Sequence, residues 1–127
     1  MALNTPASYH TIMKSTAALA FALSLAAAGS AAAHAHLVSS TPAANAVGGS
    51  PNVITLKFNE ALEPKFSGFE VKGPGPVAGS ALSLPGQNKS LSMALTSALK
   101  SGKYSVTWHV VSTDGHRTKG AFAFTVR

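Results

Sequence analysis

No cysteine occurs in the 127 residues, which excludes a disulfide scaffold, a thiolate-held zinc or iron–sulfur site, and thiol catalysis. An oxidising compartment remains open, since a chain without thiols can live anywhere. Charge is sparse too: 11 % of residues are charged against 46 % hydrophobic, and only Glu60, Glu63, Glu70 and Asp114 are acidic. Their spacing specifies no carboxylate pair for acid–base work. Ten Lys and Arg leave a formal charge of +6, a balance that raises nucleic acid as a partner. The cations from Lys57 to Arg127 are scattered, however, and aromatics, at 7 %, are too few to interleave with them. A solvated surface is the reading, with no nucleic-acid partner. No glycine-rich phosphate loop leads into a helix, and no serine sits in a nucleophile elbow. The length fits one domain.

The N-terminal apolar run, Ala17 to Ala28 (AALAFALSLAAA), is shorter than the about 20 residues of a membrane-spanning helix. Lys14 stands ahead of it and small residues follow to Ala33, the layout of a signal peptide over residues 1–33. Small-x-small patterns allow cleavage after Ala28, after Ala33 or after Ala35. The cut after Ala33 leaves His34 first in a domain spanning 34–127. Lys14 is the only charge it removes, so the formal charge falls from +6 to +5. No later stretch is long and apolar enough to span a membrane.

Beyond residue 36 the pattern has period two with turn residues between short runs. Leu37 to Ser40 opens the series. Ile54, Leu56 and Phe58 share one face, then Phe69 and Val71, Leu82 and Leu84, and Leu91, Met93 and Leu95. Tyr104, Val106, Trp108 and Val110 form the longest run, and Phe122, Phe124 and Val126 the last. About seven strands with no helical period, save one possible turn at Thr96–Leu99, predict an immunoglobulin-like antiparallel β-sandwich with Greek-key connections. Leu99 to Tyr104 has the form of a tyrosine corner, and Trp108 shares the Tyr104 face, so both aromatics are expected in the core.

Histidine is the informative residue type. His10 lies in the leader, and His109, opposite Trp108 in its strand, reads as an exposed strand residue. His34, His36 and His116 remain. At a mature N-terminus, His34 offers an α-amine and an imidazole, whose ordinary pKa values of about 7.7–8.0 and about 6.5 let both lose protons near neutrality. Together they close a six-membered chelate on one metal. His36 in third place also suits the amine–amide–amide–imidazole mode. Both modes are nitrogen-rich and tetragonal, the geometry that favours Cu(II). Thr113-Asp114-Gly115-His116 carries the Asp-Gly signal of a hairpin tip and sets a carboxylate beside a further imidazole.

Three stretches together resemble the periplasmic copper-resistance protein C (CopC) family: His34 to Ala43 (HAHLVSSTPA), Leu56 to Glu60 (LKFNE) and Lys103 to His116 (KYSVTWHVVSTDGH). The resemblance runs in order through essentially the whole of 34–127. Its most specific part is an N-terminal H-x-H joined to a downstream V-S-x-D-x-H. It implies a β-sandwich that binds Cu(II) through the amine and imidazole of His34, the imidazole of His116 and the carboxylate of Asp114. His36 is implied as an accessory ligand and Glu60 as an acidic neighbour of the site. It further implies a soluble, monomeric, non-enzymatic periplasmic protein of copper resistance or homeostasis, with an inner-membrane copper importer as a candidate partner. One branch of the family carries a methionine-rich Cu(I) loop. Met1 and Met13 fall in the leader here and leave Met93 alone, so a thioether site is not expected. Two other readings stand beside this one: a copper-dependent polysaccharide monooxygenase with an N-terminal histidine brace, and a structural immunoglobulin-like envelope domain.

Overall fold

The longest strands belong to one hairpin, which contributes six of the fourteen buried core side chains. A computed structural model describes residues 34–127; the expected leader lies outside them. The strands run in chain order as β1 (Leu37–Thr41), β2 (Val47–Gly48), β3 (Val53–Phe58), β4 (Gly68–Lys72), β5 (Ser90–Ala94), β6 (Gly102–Val111) and β7 (Arg117–Val126). They form a three-stranded sheet, β1-β3-β5, and a four-stranded sheet, β2-β7-β6-β4. The connections from β3 to β4, β4 to β5 and β5 to β6 each pass from one sheet to the other, so consecutive strands pack across the core. This is the expected Greek-key sandwich.

Burial alternates strictly along β6: Tyr104, Val106, Trp108 and Val110 point inward while Ser105, Thr107 and His109 are exposed. Ile54, Leu56 and Phe58 of β3 and Leu91 of β5 meet them from the facing sheet, and Phe124 and Val126 of β7 join them from their own sheet. Trp108 packs edge-on against Phe58, ring centroids 5.2 Å apart, and Tyr104 stacks on Phe124 at 5.6 Å. The Tyr104 hydroxyl donates to the Lys100 carbonyl at 2.9 Å. That bond satisfies the one polar atom of a fully buried ring and completes the tyrosine corner.

Three local expectations differ from the structure. Leu82 and Leu84 lie in no strand; Ser83 makes only an isolated bridge to Ser92, because Pro85 ends the run before a ladder can form. The seventh strand is instead β2, two residues paired parallel with β7 at Thr125 and Val126, so the sandwich is not wholly antiparallel. Thr96–Leu99 is not helical. Helical turns fall instead at Pro64–Phe66 and at Pro85–Asn88, where Gly86, Gln87 and Asn88 take positive φ.

Gly120 is paired with Trp108, and a Cβ on it would stand 2.4 Å from the indole Cζ2. Only glycine lets the ring lie flat against β7. Gly120→Ala is therefore expected to destabilise the domain by about 1–3 kcal/mol, the range for overpacking a filled core, with a change in Trp108 fluorescence. Paired thermal melts and emission spectra check this.

Candidate metal centre

The β6–β7 hairpin closes through residues 112–116. The Ser112 N–H donates to the His116 carbonyl at 3.0 Å, and the Gly115 N–H donates back to the Ser112 carbonyl at 2.8 Å. Gly115 has φ +90, whereas Asp114 is not in the positive region. The tip is thus a three-residue loop ending in a glycine, rather than a two-residue Asp-Gly turn, which needs positive φ at both positions.

That geometry leaves the Asp114 side chain folded back over the loop. One carboxylate oxygen accepts from the Ser112 hydroxyl and, at 3.2 Å, from the His116 N–H. The other lies 2.9 Å from Nδ1 of His116. Ser112 is buried while His116 and Asp114 are largely open to solvent, so a fixed hydroxyl orients an exposed pair. The Ser112 bond first, and then the His116 bonds, hold the Asp114 carboxyl down at about 2, below its ordinary 3.8. With Nδ1 engaged, His116 presents Nε2 as its free nitrogen.

His34 comes to this tip from the other end of the domain. Its ring meets that of His116 edge-on, centroids 4.5 Å apart. Metal–imidazole bonds of about 2 Å would let two rings at this separation share one ion. The approach is fixed by the neighbouring backbone. Ala35 is completely buried, and its carbonyl accepts from the Thr118 hydroxyl at 2.9 Å. Asn59 holds both flanking residues: its Oδ1 accepts the His36 N–H at 2.5 Å, and its Nδ2 donates to the His34 carbonyl at 3.4 Å. The Asn59 N–H also donates to the His36 carbonyl at 3.2 Å.

The residues after Asn59 hold the hairpin. Thr113 N–H donates to the Ala61 carbonyl at 3.1 Å, and Glu63 N–H donates to the Val111 carbonyl at 2.8 Å. Leu62, bridged to Ser112, is buried. One stretch, residues 59–63, therefore anchors both the histidine segment and the hairpin tip.

Of the expected residues, His34, His116 and Asp114 are brought together. Among the described residues, no hydrogen bond or ion pair joins the His36 imidazole or the Glu60 carboxylate to them, and no three His, Cys, Asp or Glu side chains form a ready-made cage. His109 is exposed on its strand, as its position predicts. Asn59, Ser112 and Thr118 went unread in the sequence. Asn59 lies inside LKFNE and Ser112 inside the V-S-x-D-x-H stretch, where each could have been noticed, while Thr118 carries no signal.

Because the Asp114 carboxyl is held low, its contribution to stability is present above pH 3.8 and is lost as pH falls through about 2. Ser112→Ala removes the largest cause, so the carboxyl is expected to titrate closer to 3.8, read by carbon-detected NMR of the metal-free protein.

Comparison with known proteins bears on the family and the fold. The family model described as CopC domain matches residues 37–127. Protein YobA of Escherichia coli K12 is 46 % identical over 101 residues, covering 75 % of this chain and 80 % of its own length. Copper resistance protein C of Xanthomonas campestris pv. juglandis is 40 % identical over 120 residues, covering 88 % and 94 %. The crystal structure of PcoC, a methionine-rich copper resistance protein from Escherichia coli, superimposes with a TM-score of 0.67 at 35 % identity, covering 75 % of this chain and all of that one. With its sandwich and hairpin already in place, the chain belongs to the CopC domain family.

Proposed function

We propose that the protein, cut between Ala33 and His34 and released to the periplasm, binds one Cu(II) ion and sequesters or delivers it without catalysis. The α-amine and imidazole of His34 and Nε2 of His116 supply three nitrogens. Asp114 supplies the carboxylate. It fixes the His116 ring in the structure, and reaches the ion by giving up one of its hydrogen bonds. His36 is an accessory ligand and Glu60 an acidic neighbour. The observation that carries the reading is the His34–His116 ring contact, which joins the two ends of the domain at one exposed edge. Relatives named copper resistance protein C support the choice of metal. The donor set supports its oxidation state. It is all nitrogen and oxygen, with Met93 the one thioether in 34–127, so soft ligation that would favour Cu(I) is missing. An inner-membrane copper importer is the candidate recipient.

Chelator-competition titration tests this. A chain beginning at His34 should bind Cu(II) far more tightly than one retaining Ala33, which has an amide in place of the amine. His116→Ala should cost more than the roughly 10–100-fold typical of losing an outer-shell partner, with the metal-free melt unchanged, and Asn59→Ala should fall within that range. Equal affinity with and without Ala33 would overturn the chelate.

Affinity should also fall from pH 8 to about pH 5, as protons take the amine and imidazole nitrogens. Asp114, ionised down to about 2, adds nothing to that fall. Zn(II) should bind more weakly than Cu(II) throughout. A flat pH profile measured by the same competition would contradict nitrogen ligation.

A further inference from the structure

The outer face of the β6–β7 hairpin carries a groove of about 380 Å³ beside the metal centre, lined by Phe66, His109, Val111, Arg117 and Lys119 among others. Strand register builds it. His109 pairs with Lys119 and Val111 with Arg117, so two cations of β7 stand opposite an imidazole and a valine of β6. Gly68 pairs with His109 on the far side, and Leu82 Cδ1 lies 3.2 Å from where a Cβ on Gly68 would stand, so Leu82 bounds the row there. Phe66, in the turn Pro64–Phe66, borders the groove and is 60 % exposed, an unusual state for a large aromatic in a domain with so few of them. No acidic residue lines this groove. A second hollow continues from it through Phe66, Val111 and Arg117 to Ser112, Thr113 and Gly115 at the tip, with Glu63 its one carboxylate.

We propose that this groove docks an acidic segment of a protein that exchanges copper with the site, its carboxylates on Arg117 and Lys119 and an apolar side chain against Phe66. The proposal rests on the copper reading above. An exchange partner must come to the exposed His34–His116 edge, and the groove is the flank of the hairpin that carries His116. Charge complementarity selects an acidic occupant. The groove is concave and its cations are confined to one strand, which favours a peptide-like segment over a lipid surface. Opposite charge here would steer encounter and fix orientation, leaving transfer to the metal ligands.

An acidic peptide alternating glutamate with leucine, titrated into nitrogen-15-labelled protein of residues 34–127, tests the surface. Saturable amide shifts are expected at His109, Val111, Arg117 and Lys119. Lys119→Glu and Phe66→Ala should each weaken binding at least about tenfold, since a like charge or a lost anchor falls at the centre of the contact. Both variants should keep the parent melting temperature and Cu(II) affinity. Shifts spread over Lys57, Lys72 and Lys103, unchanged binding by both variants, or shifts produced by anionic phosphatidylserine vesicles and not by the peptide would overturn the proposal. Cu(II) titration of the same samples reports separately on the metal reading: loss of copper binding by His116→Ala with peptide binding intact is expected if both hold. Copper binding unaffected by His116→Ala would overturn the metal reading alone.

Discussion

Two histidines brought together from the start of the described residues and from a hairpin near their end need a common anchor, and here it is the short stretch that follows β3. Leu62 is buried at the mouth of the core, bridged to Ser112. That burial and the backbone bridge fix the residues on either side. Asn59 faces the histidine segment, and Ala61 and Glu63 take the backbone groups of Thr113 and Val111. Neither half of the site would be placed without it, because both His34 and His116 stand in solvent with little packing of their own. Precision is therefore imported from buried neighbours, the usual requirement for a site on loops.

Exposure and rigidity are divided between adjacent residues. Ala35 is buried so that His34 and His36 can be open, and Ser112 is buried so that Asp114 and His116 can be open. The alternation that makes β6 half core and half surface continues into the segments that carry the proposed ligands. The copper ion proposed for this edge could be offered to another molecule, as cargo requires, whereas a closed structural site would retain it.

The long runs of the fold were legible because burial on one face leaves a period of two, as at Ile54-Leu56-Phe58 and Tyr104 to Val110. Tyr104 and Trp108 were legible as core residues for the same reason. Strand β2 was not: two residues cannot show a period, and only parallel pairing with Thr125 and Val126 makes them a strand. The first half of β7, Arg117 to Gly120, is polar or small and hides a regular ladder. In the site, the histidines and Asp114 stood out by chemistry. Asn59, Ser112 and Thr118 act through hydrogen bonds to groups distant in the chain, and that partnership exists only after folding. The cations mislead in the same way: Arg117 and Lys119 look scattered along the chain, yet pairing sets them beside His109 and Val111 in one groove.

The central claim is that two imidazoles from opposite ends of the domain bind the same ion. Pulsed electron paramagnetic resonance of the Cu(II)-loaded chain beginning at His34 tests it most directly, by counting coordinated imidazoles through their remote nitrogens. Two are expected, falling to one in His116→Ala. A single imidazole in the parent protein, unchanged by that substitution, would contradict the account.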